Sequence, residues 1–573
     1  MTDSLGKKLP RLLRVTAASA LAALAASACA NGGLNGHSSG HSSGLDGYRD
    51  GLYDSALAFD KEAYTTLNVT IDGQPMAVRW YREVCYVAQP QLMAPVQNNA
   101  AIANPQCGYQ SMNIFVPESA AADQKTAIYF QVANGGWFAS YVAASVTNGA
   151  SFDSTTSQVG AALKAGYVFV NVGTRSRRLL AADGTQAGKA PTVVVDAKAA
   201  VRYLRLNDKV MPGSAERIVV NGTSGGGALV SALGASGNSR DHVPYLAETG
   251  AAGIGKRGSA LGSTLRDDVF AVVAYCPITD LGHANIAYEW MFTTLGTRAA
   301  VSRNNHPAGS AEMAASFADY QRSLRLRNPD GSRLTADNML ATVQAEVVRS
   351  AEAHLAAGGT IPALGASSTY NVGNVPTSFV NDWIVADDTT KKVVSLDMAR
   401  YLNFVASQAV LKPAPAFDNA GVATFPGGMS ENSLFGTRNQ AGLNFSAFAW
   451  NHNTVAGDGS GQDDTGTLWR DYVRLPSSGV GDQLRLINPM HYIDSRADTA
   501  PYWYVRHGTR DRDTSFTVSI NLARALQADR RVRDVNYRLA WDRPHGGNYD
   551  VPEAMAWVAE TLRAAERKER KER

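Results

Sequence analysis

Short apolar runs recur along the chain and alternate with helical patterns. The runs lie at residues 128–132, 167–172, 218–220, 269–275, 502–505 and 537–541. Each run has the length of one buried strand, and residues 195–206, just before the third run, place apolar side chains on one side of a helix. Because strands that alternate with helices build parallel sheets, the pattern predicts an α/β fold whose mostly parallel central sheet is flanked by helices.

Two segments near the beginning of the chain carry a different pattern. Residues 67–71 and 76–81 contain alternating apolar and polar positions, and Asp72-Gly73 lies between them. An Asp-Gly pair between two such segments is a strong signal for a hairpin. We therefore expect antiparallel strands at the start of the sheet.

Residues 280–487 break the alternation of strands and helices. They contain helical patches, many Asn, Gly and Ser residues, and no regular strand spacing. The chain has 573 residues, which exceeds the usual size of a single core, so a large insertion or a second domain is expected. Because the strand pattern resumes afterwards, we predict an inserted lid domain at 280–487 that divides the α/β domain into residues 61–279 and 488–573.

The first 28 residues have the pattern of a signal peptide. Basic residues between Lys7 and Arg14 precede an apolar run at 15–28, which ends in the small residues Ala26-Ser27-Ala28. This pattern is typical of a secretory signal peptide, and the run is too short to anchor the chain across a membrane. We therefore expect an exported bacterial protein.

The residue after this segment leaves two alternatives open. Cys29 follows Ser27-Ala28 as in a bacterial lipobox, although Ala26 stands where Leu is usual. The signal peptide is therefore either simply cleaved, or Cys29 is lipidated and attaches the protein to a membrane. Residues 29–60, rich in Gly, Ser and His at their start, are interpreted as a flexible tether. The predicted location is the periplasm, the outer membrane as a lipoprotein, or the extracellular space.

The remaining cysteines predict one disulfide. An exported protein can form disulfides, and Cys85, Cys107 and Cys276 remain once Cys29 is set aside. Cys85 and Cys107 lie in neighbouring segments, whereas Cys276 ends an apolar run. We expect the first two to pair and Cys276 to be buried and reduced.

The charge of the chain excludes one class of partner. Lys and Arg number 54 and Asp and Glu number 51, and no long basic stripe interleaved with aromatic residues occurs in the body of the chain. Nucleic acid is therefore not an expected partner.

The strongest candidate for chemistry is Ser224, in Gly222-Thr223-Ser224-Gly225-Gly226. This G-x-S-x-G motif follows an apolar run and precedes a small-residue helical segment. Strand, sharp turn and helix in this order are typical of the nucleophile elbow of an α/β-hydrolase. We therefore predict an α/β-hydrolase with a large inserted lid domain, in which Ser224 is the nucleophile.

A nucleophilic serine needs a base and an acid that orients the base. In α/β-hydrolases these follow in the order Ser, Asp or Glu, and His, after the last strands. Asp511 follows the run at 502–505, and His545 follows the run at 537–541, so we expect Asp511 to be the acid and His545 the base. His507 is the main rival to His545, but it precedes the acid and is expected to support the loop.

Hydrolysis also requires amide donors for the oxyanion of the tetrahedral intermediate. The amide after the nucleophile belongs to Gly225, and Gly136 lies in a glycine turn directly after the run at 128–132. We expect these two amides to form the oxyanion hole. A triad of this kind needs no metal and no organic cofactor.

Several blocks of the sequence closely resemble the bacterial tannases, over residues 65–558. These blocks are Asn221-Gly222-Thr223-Ser224-Gly225-Gly226, Ala274-Tyr275-Cys276-Pro277, Ala287-Tyr288-Glu289-Trp290, Arg506-His507-Gly508, Asp511-Arg512-Asp513-Thr514-Ser515-Phe516 and Trp541-Asp542-Arg543-Pro544-His545. The resemblance implies an α/β-hydrolase with a large lid that hydrolyses galloyl esters and depsides to gallic acid through a galloyl-enzyme.

The resemblance also implies a set of residues that bind the gallate ring. The lysine, glutamate and aspartate that bind the three phenolic hydroxyls in that family correspond to Lys412, Glu431 and Asp513 here. Carboxylates accept hydrogen bonds from phenols and an ammonium donates to a phenolic oxygen, so the residue types fit the ligand. The spacing from Lys412 to Glu431 is longer than in the family, with residues 421–428 extended.

Two other functions remain open at this stage. One is an esterase for ferulate or another phenolic acid, although a ring with one hydroxyl and one methoxyl would leave part of the polar set unpaired. The other is a binding protein built on an inactive hydrolase fold. The sequence does not determine the oligomeric state.

Overall fold

A ten-stranded sheet forms the centre of the fold. The computed structural model describes residues 51–301, 306–372, 374–419 and 430–572. The strands of the sheet are β1 (Thr65–Ile71), β2 (Gln74–Cys85), β3 (Ser111–Pro117), β4 (Ala127–Val132), β5 (Ser151–Phe152), β6 (Val168–Val172), β7 (Ser214–Thr223), β8 (Ala271–Tyr275), β9 (Tyr502–Gly508) and β10 (Asp534–Ala540). Their order across the sheet is β10-β9-β8-β7-β4-β6-β3-β2-β1-β5.

The sheet is parallel from β10 to β6 and mainly antiparallel beyond it. The neighbouring pairs from β10 through β9, β8, β7 and β4 to β6 all run parallel. Strands β1, β2 and β3 pair in antiparallel fashion, and β3 joins them to β6. The predicted mostly parallel sheet and the predicted hairpin across Asp72-Gly73 are both confirmed, and the six predicted central strands are all present.

Five helices cover the two faces of the sheet. They are α1 (Gln158–Lys164), α2 (Thr192–Leu206), α3 (Gly225–Ala235), α4 (Phe516–Ala528) and α5 (Val551–Glu572). Alternate residues of β4 enter different cores, because successive side chains of a strand point to opposite faces. Ile128 and Phe130 join the core that contains residues of α2, α3 and α4, whereas Tyr129 joins the core that contains residues of α1 and α5. The predicted helix at 195–206 is confirmed and begins three residues earlier.

The part of the predicted tether that the structure describes packs against the fold. A 3₁₀ helix spans Asp54–Leu57, and Leu57 is buried. The Asp54 carboxylate accepts a hydrogen bond from the Gly253 amide. The packed part of the chain therefore includes residues that the sequence assigned to the tether, whereas the predicted signal peptide and Cys29 lie outside the described residues.

The predicted disulfide is confirmed. Cys85 and Cys107 are bonded, with their Cα atoms 6.0 Å apart. Cys276 is free and buried, as expected.

The inserted segment separates two neighbouring strands of the sheet. The chain leaves the sheet after β8 and returns at β9, which pairs with β8. The helices between them are Leu281–Thr293, Thr297–Val301, Pro307–Ser323, Ala336–Ala356, Met398–Ala406, Ala447–Asn451, Gln462–Thr465, Trp469–Tyr472, Val480–Leu486 and Pro489–Tyr492, and the strands are Ser367–Val372, Val375–Val380, Ile384–Asp387 and Lys392–Leu396. These strands form hairpins of their own, so the insertion contributes nothing to the main sheet within the described ranges.

Smaller elements fill the connections before β8. They are the strands Val96–Gln97, Ala100–Ala101, Ile254–Arg257 and Ala260–Ser263 and the helix Val243–Glu248. Among the helices formed by described residues, none is both long and apolar enough to cross a membrane.

Candidate active site

Ser224 lies at a sharp turn between β7 and α3. Its backbone has φ 61° and ψ −123°, a conformation that is costly for a residue with a side chain and that occurs at nucleophile elbows. The turn also requires its glycines, because a Cβ atom on Gly222 would lie 2.2 Å from the carbonyl oxygen of Gly226. The strained turn presents the Ser224 hydroxyl at the carboxyl end of the sheet.

A chain of hydrogen bonds connects Ser224, His545 and Asp511. The distance from Ser224 Oγ to His545 Nε2 is 2.9 Å, and the distance from His545 Nδ1 to Asp511 Oδ2 is 2.7 Å. Asp511 is fully buried, whereas the side chain of His545 is 21 % exposed. The structure thus brings together the three residues predicted as nucleophile, base and acid, with spacings that permit proton transfer.

Electrostatics around this chain favour an ionised acid. Burial favours the protonated form of Asp511, but His545 and His507 outweigh it and hold the pKa of Asp511 well below its ordinary 3.8. Burial likewise opposes a charge on His545, yet the Asp511 carboxylate raises the pKa of His545 well above 6.5. The arrangement therefore stabilises the imidazolium that forms when His545 accepts a proton.

His507 contacts the acid Asp511 and a serine of α4. Its Nε2 atom is 3.1 Å from Asp511 Oδ2, and its Nδ1 atom is 2.8 Å from Ser519 Oγ. The Asp511 carboxylate also accepts hydrogen bonds from the amides of Asp513 and Thr514. These contacts fix the orientation of the acid, in keeping with the supporting role expected for His507.

The two predicted oxyanion donors lie on elements that touch each other. Gly225 is the first residue of α3, where backbone amides have no acceptor within the helix. Gly136 lies in a turn directly after β4, with φ 57° and ψ 24°. A Cβ atom on Gly225 would lie 2.2 Å from the Trp137 amide nitrogen, so the Gly136 turn packs directly against the elbow.

Lys412 is anchored by its backbone to the loop that carries the acid. Its amide donates to the Tyr288 hydroxyl over 3.1 Å, and that hydroxyl donates to the Arg512 carbonyl oxygen over 2.8 Å. The Lys412 carbonyl oxygen accepts a hydrogen bond from Arg298. Its ammonium group lies 4.3 Å from the centre of the Phe417 ring.

Glu431 and Asp513 complete the predicted ring-binding set. Glu431 begins a 3₁₀ helix, Glu431–Leu434, and is buried. Its carboxylate accepts a hydrogen bond from the Ser430 hydroxyl and lies 3.8 Å from Arg177 Nη2. Asp513 is half-buried and forms an ion pair with Arg512 over 2.8 Å. The extended segment predicted at 421–428 lies outside the described residues.

Three residues that the structure places at this site have no role there in the sequence-based predictions. Tyr288 joins Lys412 to the acid loop, and Arg177 contacts Glu431. Cys276 is close to the acid and the base, since its Sγ atom, a carboxylate oxygen of Asp511 and a ring nitrogen of His545 all lie within 4.8 Å of one another. Burial raises the pKa of the Cys276 thiol. One signal was available for Arg177, because it follows the carboxyl end of a central strand, where the sites of open α/β sheets are built.

Comparisons with known proteins show one matching family model and a group of similar solved structures. The BD-FAE family model matches residues 112–307. The tannase of Fusobacterium nucleatum is 29 % identical in sequence with a TM-score of 0.68, and the alignment covers 88 % of this chain and 99 % of that chain. This chain resembles the tannases over most of its length.

Other tannases give the same result. The native tannin acyl hydrolase of Lactobacillus plantarum is 28 % identical with a TM-score of 0.67, covering 88 % of this chain and 99 % of that one. A tannin acyl hydrolase in complex with ethyl gallate is 28 % identical with a TM-score of 0.68, covering 89 % and 99 %. No curated protein matches the chain. The tannase resemblance, together with the sheet and its insertion, supports an ester hydrolase with the α/β-hydrolase fold.

Proposed function

We propose that this protein is a serine esterase that hydrolyses the galloyl ester and depside bonds of tannins and gallate esters to gallic acid. The observation that carries the proposal is the hydrogen-bonded chain from Ser224 through His545 to Asp511, within a chain that resembles tannases. Solved tannin acyl hydrolases contain ethyl gallate and 3,4-dihydroxybenzoate. A phenolic acyl group is therefore the substrate class that we assign.

Acylation begins with proton transfer from Ser224 to His545. The serine oxygen attacks the ester carbonyl carbon, and the carbonyl oxygen becomes an oxyanion that accepts hydrogen bonds from the Gly225 and Gly136 amides. The tetrahedral intermediate then collapses. The bond between the acyl carbon and the alcohol oxygen breaks, and His545 gives its proton to the leaving alcohol. The product of this half-reaction is a galloyl ester of Ser224.

Deacylation repeats these steps with water. His545 removes a proton from water, the hydroxide oxygen attacks the galloyl carbonyl carbon, and the same amides stabilise the oxyanion. The bond between the acyl carbon and the Ser224 oxygen then breaks, His545 returns its proton to that oxygen, and gallic acid leaves. Asp511 remains ionised throughout and holds the imidazole in the required tautomer.

The acyl group is recognised by its hydroxyls. Glu431 and Asp513 accept hydrogen bonds from phenolic hydroxyls, and the Lys412 ammonium donates to a phenolic oxygen. A ring that lacks these hydroxyls leaves polar groups of the site unpaired, which is how an enzyme rejects such an analogue. The set therefore favours galloyl over feruloyl esters.

A substrate panel tests the proposal. We expect release of gallic acid from methyl gallate at a higher kcat/KM than release of ferulic acid from methyl ferulate, and no release by Ser224→Ala. A preference for methyl ferulate would replace the galloyl assignment with a feruloyl esterase.

Covalent labelling separates an active enzyme from an inactive binding protein. A fluorophosphonate reacts only with an activated serine, so we expect labelling of the wild-type protein and not of Ser224→Ala. An unlabelled wild-type protein would instead support the hypothesis of a binding protein built on an inactive hydrolase fold.

We also propose that the protein is exported, with residues 1–28 as its signal peptide. The pattern of basic, apolar and small residues supports export, and Cys29 supports attachment to a membrane by lipidation. Mass spectrometry of the mature N-terminus tests both. A lipid-modified Cys29 supports attachment, an unmodified mature end supports simple cleavage, and an intact Met1 contradicts export.

A further inference from the structure

Arg177 is a buried cation between the Gly136 turn and Glu431. Its side chain is only 5 % exposed, although burying a charge is costly unless the charge is paired. Its Nη1 atom donates to the Ser430 carbonyl oxygen, and its guanidinium carbon lies 3.8 Å from the centre of the Phe138 ring. The guanidinium therefore contacts both the segment that carries Glu431 and the segment that follows Gly136.

The distance between Arg177 and Glu431 leaves the carboxylate able to bind a ligand. The separation of 3.8 Å between Nη2 and Oε1 is within ion-pair range but is too long for a hydrogen bond. The Ser430 hydroxyl binds the other carboxylate oxygen, Oε2. Arg177 thus neutralises the buried charge of Glu431, while Oε1 accepts no hydrogen bond from the described residues.

The same arginine lies against the turn that carries a predicted oxyanion donor. A Cβ atom on Gly136 would lie 3.4 Å from Arg177 Nη2. The backbones of Phe138 and Arg177 form an isolated parallel β-bridge, and the Ser176 hydroxyl donates to the Trp137 carbonyl oxygen over 2.6 Å. The segment that carries Arg177 therefore supports the Gly136 turn directly.

One hydrogen-bond donor of the Arg177 guanidinium has no acceptor within the part of the chain that the structure describes. Its Nε atom is buried and has no hydrogen-bond partner among the described residues. A buried unpaired donor is unfavourable and calls for an explanation. The guanidinium is instead oriented by its contacts with Glu431, Ser430 and Phe138.

We propose that Arg177 is a positioning residue that determines acyl specificity, because it holds the Glu431 carboxylate and the Gly136 turn in a fixed relation. Recognition of a ring hydroxyl and stabilisation of the oxyanion then act on one bound ester. This inference rests on the proposed function and adds a residue outside the triad and the ring-binding set. Arg177 acts through Glu431 and Gly136 and contacts no reacting atom.

Hydrolysis of two esters by the full-length protein tests the inference. We compare methyl gallate with methyl benzoate, which has no ring hydroxyl. For Arg177→Met we expect KM for methyl gallate to rise. The ratio of kcat/KM for methyl gallate to kcat/KM for methyl benzoate should fall about tenfold or more, because the hydrogen bond from the ring hydroxyl to the Glu431 carboxylate is weakened. Arg177→Lys keeps the charge and should recover part of the ratio.

A double mutant cycle shows whether Arg177 acts through Glu431. In a Glu431→Gln background, Arg177→Met should change the substrate ratio by less than about threefold, because contacting residues that act together are not additive. The matched control is Arg178→Met, which removes an exposed neighbouring guanidinium that lies 5.4 Å from the same Phe138 ring. This control should leave the substrate ratio unchanged.

The outcomes separate this inference from the proposed function. Equal losses of kcat/KM on both esters in Arg177→Met, or additive effects in the cycle, would overturn the specificity role and leave a purely structural one. A wild-type protein that cleaves no phenolic ester would overturn both the proposed function and this inference, whereas an active wild-type protein with an unchanged substrate ratio in Arg177→Met would overturn this inference alone.

Discussion

The hydroxyl of Tyr288 accepts a hydrogen bond from the Lys412 amide over a distance of 3.1 Å. The same hydroxyl donates to Arg512, which lies between the predicted acid Asp511 and the predicted ring ligand Asp513. One buried phenol thus connects the inserted segment to the catalytic loop. The position of Lys412 relative to the triad depends on this phenol.

Removal of the Tyr288 hydroxyl should therefore weaken binding more than chemistry. In Tyr288→Phe the Lys412 amide and the Arg512 carbonyl oxygen lose their partner, which costs about 1–3 kcal/mol. We expect KM for methyl gallate to rise about tenfold with little change in kcat. Tyr81→Phe is the control, since Tyr81 is also buried and donates to the Lys61 carbonyl oxygen near the beginning of the described chain. Equal KM values for both variants would contradict this role.

The acid residue sets both the rate and its pH dependence. His545 must be neutral to accept the Ser224 proton, and Asp511 raises the pKa of His545. Activity should therefore rise with pH, with the midpoint of the kcat/KM profile above pH 6.5. Asp511→Asn removes the carboxylate, so the midpoint should move to lower pH while kcat falls about 10⁴-fold. An unshifted midpoint would show that another group controls the profile.

Substitutions of Gly225 and Gly135 by alanine should differ in their effect on kcat. In Gly225→Ala the new Cβ would lie 2.2 Å from the Trp137 nitrogen, so the Gly136 turn must move away from the elbow. Loss of one oxyanion donor lowers kcat by about 10²–10³-fold, and we expect a loss of that order on methyl gallate. A Cβ on Gly135 would meet nothing within 4 Å. Gly135→Ala should therefore retain activity, and a comparable loss there would contradict the assignment.

Removal of the disulfide should lower the stability of the protein. Cys85 and Cys107 are 22 residues apart, and a crosslink over a loop of this length contributes about 3 kcal/mol. The double variant Cys85→Ser with Cys107→Ser should lower the free energy of unfolding by about that amount in urea titrations. Reduction of the wild-type protein serves as the control and should reproduce the loss. Unchanged unfolding would show that the bond constrains nothing.

The sequence predicted those parts of the site whose signals are local. Ser224 lies in a short motif between a strand and a helix, and Asp511 and His545 each follow the end of an apolar run. Local pattern and chain order were sufficient to place them, because the carboxyl ends of parallel strands meet at one edge of the sheet. Lys412, Glu431 and Asp513 were available only through resemblance to a family.

The residues that the sequence did not predict depend on long-range contacts. Tyr288 and Lys412 are 124 residues apart, and Arg177 and Ser430 are 253 residues apart. No periodicity or motif encodes a pairing over such separations, and a buried Arg or Tyr has the same sequence signature as any other. The sequence assigned residues 51–60 to the tether, whereas in the structure Leu57 is buried and Tyr53 and Phe59 pack against the same core, through contacts with distant residues that no local pattern signals.

The insertion begins and ends on two neighbouring strands, β8 and β9. Because these strands run parallel, the chain leaves at the carboxyl end of β8 and must cross back to the amino end of β9, so the inserted segment replaces an ordinary crossover connection. Lys412 and Glu431 belong to the inserted segment, whereas Ser224, Asp511 and His545 each follow a strand of the main sheet. Under the proposed function, substitutions at Lys412 or Glu431 would change which acyl groups are accepted without altering the three residues that carry out the hydrolysis.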